Sequence, residues 1–374
     1  MIARFHDLKR DSTSRLPGLR IFLVSVTAVC LFVFGHASLG AAAVFDTNSA
    51  LPRTLRETGL YAHGSTTELG AGIVAFSPQY PLWSDGAEKR RWLFLPPGSF
   101  IDASKPDEWV FPRGTKLWKE FALAGRPVET RYIERYRDGS WRFATYVWNE
   151  AGDEAVLAPG GGIAALPVRA APEGRYALPS REDCLACHGS TTVPVLGVSA
   201  LQLSAERDPL APGGRPRHAD EADLRGLVAR GWLRRLPAAL LERPPVIPAA
   251  TPVERAALGY LHGNCGHCHN TSDLRVPVRL TLAQRAADPD AARQEALRSA
   301  VNAISRSRTS GAGSRGLLVS PGRPEHSVLA VRMQSRNPKA QMPPLGTSIP
   351  DPDGLALVQR WIANDLSHRK EPSP

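Results

Sequence analysis

The sequence predicts a multidomain α+β fold. An antiparallel, β-rich and sandwich-like domain occupies the N-terminal part, and mainly α-helical segments follow. Three observations lead there. Six of the eight tryptophans fall between Trp83 and Trp148. Strand-favouring runs in that stretch are separated by proline and glycine turns. Beyond about residue 250, apolar residues recur at helical spacing behind capping signals.

The elements can be justified in order. Arg91 to Leu95 and Lys116 to Leu123 are short strand-like runs, punctuated by Pro96-Pro97-Gly98 and Pro112-Arg113-Gly114. Glu129 to Arg137 and Trp141 to Trp148 flank Asp138-Gly139, a dipeptide that turns hairpins. Several short strands at this spacing make an antiparallel sandwich or barrel, and the tryptophans read as its packing. Gly160-Gly161-Gly162 is a loop, with neither lysine nor helix start placed to cradle a phosphate. Leu224, Leu227 and Val228 give Asp220 to Leu233 a helical spacing. A proline-rich connector, Pro237 to Pro252, follows. Thr251-Pro252-Val253-Glu254 reads as a capping box with proline at the first helical position. Ser327 to Arg336 reads as a helix, and so does Pro352 to Leu366, with Leu355, Val358, Ile362 and Leu366 on one face. These readings divide the chain at 1–43, 45–175, 176–245 and 246–370.

The first of those segments is an export signal. Arg4, Lys9, Arg10, Arg15 and Arg20 precede an apolar stretch from Ile21 to Phe34, and Ala41-Ala42-Ala43 is a small-residue cleavage site. The expected location is periplasmic; retention of the N-terminal helix as an anchor is the alternative. Cys30, with Val29 before it and an apolar run after it, is a poor lipoprotein cysteine. The formal charge of the chain is +10, of which residues 1–43 contribute +3, so +7 remains. That balance suits docking to an acidic redox partner or to an anionic membrane surface. It does not indicate nucleic acid, since no basic run is interleaved with aromatics.

The chemistry lies in two runs, Cys184-Leu185-Ala186-Cys187-His188 and Cys265-Gly266-His267-Cys268-His269. Each is the Cys-x-x-Cys-His pattern that attaches c-type haem. Two thiols one turn apart each bond a vinyl group of one porphyrin, and the adjoining histidine binds the iron. Four of the five cysteines are used in this way and Cys30 falls in the signal. Two Cys-x-x-Cys pairs could also hold zinc, but the gap from Cys187 to Cys265 is wide for a zinc ribbon, and zinc does not explain a histidine after both pairs. Only Met333 and Met342 lie beyond the signal. Met342 precedes Pro343-Pro344, a stiff extended segment able to present its thioether opposite His269. Met333, in a helical run, is expected to pack. For the first iron, His188 is the expected ligand. His63, His218, His262 and His326 are candidates for its other side, and His267 reads as a local supporting or surface residue.

A wider pattern accompanies the motifs. Pro81 to Arg90, Phe111-Pro112-Arg113-Gly114-Thr115 with Lys119, Glu129-Thr130-Arg131 and Tyr146-Val147-Trp148-Asn149 precede them. Tyr260-Leu261, Asn264-Cys265, His267-Cys268-His269-Asn270 and Met342-Pro343 make the C-terminal part. In these segments, which span most of the chain beyond the signal, the sequence resembles a family of bacterial diheme c-type cytochromes with a C-terminal class I cytochrome c-like domain. The stretch between the two motifs matches less distinctly. The resemblance implies two covalent haems c with their irons, an exported location and electron exchange with a redox partner protein. The expected function is electron transfer to or from a dehydrogenase or oxidase. The alternative is a peroxidase-like oxidoreductase whose first iron is open. A carrier is favoured because no acid/base pair is identifiable beside the first motif.

Overall fold

The computed structural model describes Val44 and residues 50–272, 276, 278–306 and 316–367. The expected signal segment, with Cys30, lies outside the described residues. The described residues pack as one compact unit. The fold is α+β. Among the described residues no helix is long and apolar enough to cross a membrane.

Strands β1 (Ile73–Ala75), β2 (Glu88–Phe94), β4 (Lys116–Leu123), β5 (Arg126–Arg135), β6 (Trp141–Trp148) and β7 (Ala155–Leu157) form one antiparallel sheet, in that order. β3 (Ile101–Asp102) leaves this sheet and pairs in parallel with β10 (Leu233–Arg234), tying the segment after the first motif back to the β region. β8 (Ile163–Pro167) and β9 (Arg175–Leu178) form a separate ribbon. The expected sandwich is thus a single large sheet whose partners have two strands each. Side-chain alternation explains its stability. On one face, Trp92, Trp118, Tyr132 and Ala144 stand side by side across four strands. Leu55, Leu60 and Tyr61 cover them, and Trp118 Nε1 donates to Thr58 Oγ1 at 2.9 Å. The opposite face carries Leu93, Leu117, Ile133 and Phe143 in one row and Arg91, Lys119, Arg131 and Thr145 in the next. The first motif packs over this second face.

Helix α1 (Arg181–His188) carries that motif, and α2 (Leu224–Ala229) and α3 (Ala239–Glu242) follow. The stretch 176–245 is therefore mostly irregular rather than mainly helical. The cause is its punctuation: Pro194, Gly197, Pro209, Pro212, Gly213, Gly214 and Pro216 interrupt helical hydrogen bonding. The expected helix over Asp220 to Leu233 shrinks to the six residues of α2. Its start is set by Asp223, whose carboxylate accepts from Gly226 N at 2.7 Å.

The last region holds α4 (Pro252–Asn264), α5 (Pro289–Ala300), α6 (Val328–Gln334) and α7 (Pro352–Arg360), the last continuing as a wider turn through Trp361–Asp365. Leu258, Leu261, Leu297, Val358, Trp361 and Ile362 are among their shared buried core. Thr251 caps α4 by accepting from Glu254 N at 3.0 Å. The other half of the expected capping box is not made. The Glu254 carboxylate turns to Arg293 on α5, at 2.5 Å, because a buried carboxylate gains more from a cation than from one amide. Trp83 N donates to Asn264 Oδ1 at 2.7 Å, which ties the end of α4 to the β region.

Candidate haem-attachment site

The first motif is built on a well-capped helix. Ser180 Oγ accepts from Asp183 N at 3.0 Å, and the Asp183 carboxylate accepts from Ser180 N at 2.9 Å. One turn later come Cys184 and Cys187, with His188 at the helix end. The chain then curls through Thr191 and Val193 so that the Pro194 carbonyl lies 2.6 Å from His188 Nδ1. A carbonyl can only accept, so Nδ1 carries the proton and Nε2 keeps a bare lone pair. Burial holds the imidazole neutral, with its pKa lowered to about 4. A neutral histidine, braced through one nitrogen by a backbone carbonyl, is the state a metal-ligating histidine needs. The Phe143 ring, on the second face of the sheet, packs against it with centroids 5.0 Å apart.

The second motif begins where α4 ends. Cys265 N donates to Leu261 O at 2.8 Å, and His269 N donates to Cys265 O at 2.8 Å, so the thiol-bearing segment forms a tight turn. Only glycine fits at position 266: a Cβ there would lie 2.8 Å from His262 O and 3.0 Å from Ala283 Cα. Cys265 and Met342 both line one shallow cleft, together with Trp83, Tyr260, Met333 and Arg336. Met342 is positioned there by its own N–H, which donates to Arg332 O at 2.9 Å, and by Arg332 Nε, which donates to Ala340 O at 2.7 Å. Met333 is buried in the helical core, as its sequence context implies, and reaches the cleft edge.

The two motifs meet. Cys187, His267 and Cys268 place their ligating atoms within 4.8 Å of one another. Cys187 and Cys268 are hydrogen-bonded. That contact pushes the Cys187 thiol up, while the same contact and the His267 ring hold Cys268 down. Cys184 and Cys265 stand outside the cluster and are raised by burial, Cys265 to about 12. Asn270 Nδ2 lies 3.2 Å from Ser190 O, joining the turn after one motif to the end of the other. None of the four cysteines is in a disulfide.

The donor set fits two attached haems better than one four-thiolate zinc ion. Zinc needs four deprotonated ligands converging on a point. Here only the second cysteine of each motif joins the cluster, and Cys184 and Cys265 lie outside it. A Cys-Cys-His metal site remains chemically open, and His267 is more central than its sequence position suggests. Of the four histidines considered for the first iron, His63, His218 and His326 are exposed. His262 accepts from Gln284 N through Nδ1 at 3.0 Å, which forces its proton onto Nε2 and leaves no nitrogen free for iron.

Sequence reasoning did not find Pro194, since its role depends on a turn with no motif of its own. No family model matches the chain, and neither a curated protein nor a solved structure matches it.

Proposed function

We propose that this chain is an exported diheme c-type cytochrome that transfers electrons, with one haem on Cys184 and Cys187 and one on Cys265 and Cys268. Each bound haem would supply an iron that takes up and releases a single electron. His188 and His269 would hold the two irons, and Met342 would complete the second site. The observation that carries the reading is the His188 imidazole, neutral and fixed by Pro194 so that Nε2 alone can ligate. Met342 and Cys265 opening on one cleft support the second site. The Cys187–Cys268 contact sets the two attachment points side by side, which suits rapid exchange between two centres.

The test is the chain expressed with a haem-maturation system. Pyridine haemochrome analysis should give two haems per chain. Paramagnetic resonance should show Met342→Ala altering the ligand signature of one iron and leaving the other untouched. A single haem, or none, ends the reading. A second reading rests on the Cys187, His267 and Cys268 cluster, which could hold a divalent metal. Zinc bound stoichiometrically to chain with unmodified sulfhydryls would favour it.

A further inference from the structure

We infer that the row of cations across the sheet, Arg91, Lys119 and Arg131, is a carboxylate-binding site that holds the propionates of the haem attached at Cys184 and Cys187. This rests on the haem reading above and deepens it.

The row is fixed by strand register. Arg91 of β2 lies opposite Lys119 of β4, and Lys119 lies opposite Arg131 of β5. All three therefore point to one face, the face on which Phe143 meets His188. Contacts to Phe121 confirm the shared direction: Lys119 Nζ lies 4.7 Å and Arg131 Cζ 4.3 Å from its ring centroid. Lys89, opposite Phe121, adds a fourth cation to the same face, with its Nζ donating to Leu82 O at 2.9 Å.

Like charges directly opposite one another destabilise a sheet, and a covered charge without a partner costs far more than a solvated one. Here Val193, Val195 and Val198 pack over the apolar row, and Arg91, Lys119 and Arg131 in the next row are half-buried, Arg131 with 28% of its side chain exposed. The one carboxylate among these rows, Glu129, is already committed to Arg131 at 2.7 Å and to the Tyr176 hydroxyl at 2.7 Å. Among the described residues, the Arg91 and Lys119 side chains have neither a hydrogen bond nor an ion pair. Desolvation and its cationic neighbours push the Lys119 ammonium well below its usual range. A sheet face that gathers like charges beside an attachment motif is arranged for an anion. A haem fixed at that motif brings two carboxylates with it, and a guanidinium offers the forked geometry that binds them.

The test uses the full matured chain carrying haem labelled with ¹³C at the propionate carboxyls, read by redox-difference infrared spectroscopy. In the unsubstituted protein the labelled carboxylate bands should be those of ionised, ion-paired groups that do not respond to exchange into D₂O. Lys119→Met and Arg91→Met should shift those bands and lower the midpoint potential of the first haem, because a positive charge near the iron is lost. Lys119→Arg should retain both properties, and Lys105→Met, at an exposed ion pair, should change neither. Labelled bands that behave as water-exposed propionates in the unsubstituted protein would overturn the inference without any variant. Unmoved bands in both methionine variants, or a potential that follows added phosphate instead, would also overturn it and would mark a site for a free anion. Two haems with unmoved bands sink only this inference; fewer than two haems sink the haem reading beneath it.

Discussion

The two Cys-x-x-Cys-His segments carry one pattern on two different scaffolds. The first rides a short capped helix laid against the charged face of a sheet, and its histidine is braced by a carbonyl six residues on. The second closes a long helix inside a helical core, and the nearby Met342 loop is anchored to a neighbouring helix through Arg332. A Cys-x-x-Cys-His run needs only a local turn, so either scaffold can supply it. What surrounds each run comes from distant sequence, and there the two diverge: charge from strands beside one, a methionine and apolar helices beside the other.

The sharpest way to break this comparison is to remove one seat at a time. Cys184→Ala with Cys187→Ala, or Cys265→Ala with Cys268→Ala, is expected to halve the haem content measured by pyridine haemochrome. Either pair abolishing all haem would show that the seats are not independent; either pair leaving the content unchanged would end the assignment. The next largest effect belongs to the helical scaffold. Arg293→Met leaves the Glu254 carboxylate, with 2% of its side chain exposed, without its cation. The expected loss is about 3–5 kcal/mol in urea unfolding. Arg90→Met, beside the equally buried Glu120, should cost less, because Arg90 is 67% exposed and water can take its place. Equal losses would show that the two scaffolds bury charge alike.

A smaller effect is expected where α7 crosses α4. A Cβ on Gly354 would fall 2.2 Å from the Tyr260 ring. Gly354→Ala should cost about 1–3 kcal/mol, seen as a lower midpoint in thermal unfolding. The smallest effect is a pH dependence. Burial lowers the His262 pKa from 6.5 to about 4. The unfolded chain then binds the extra proton between those values, so stability falls as pH drops from 6.5 towards 4. One unit below 6.5 the loss should be on the order of 1 kcal/mol. His262→Asn should roughly halve the slope in that window, because the buried His188, also lowered to about 4, contributes alike, and an unchanged slope would show that other groups set it.

Much of this was legible in the sequence because it is local. Lys116–Leu123 and Trp141–Trp148 are strands with the boundaries their residue types imply, and Gly139 makes the hairpin turn at φ 94°. Thr251-Pro252 starts α4 where it should. Non-local partners were not legible. Glu254 reaches Arg293, 39 residues away, in preference to its own helix end. α5 went unread although Asp288-Pro289 caps it, since its surface-facing arginines and glutamate mask the narrow alanine stripe. Strand alternation around Arg91, Lys119 and Arg131 predicts two faces but not which one is covered. Charged positions in strands are ordinarily solvent-facing, and only the placement of α1 and the loop after it leaves these three half-buried. The Cys-x-x-Cys-His runs are plain in the sequence, but their meeting at Cys187 and Cys268 is a property of the fold.

Besides the Cys187–Cys268 contact, a single side-chain amide ties those runs together. The Asn270 amide nitrogen sits among three backbone carbonyls: Ser190 at 3.2 Å, 80 residues back along the chain, Gly266 at 3.2 Å and His267 at 2.9 Å. Aspartate has the same shape and differs there by an oxygen in place of NH₂. That swap turns a clamp into mutual repulsion at the place where the two Cys-x-x-Cys-His runs meet.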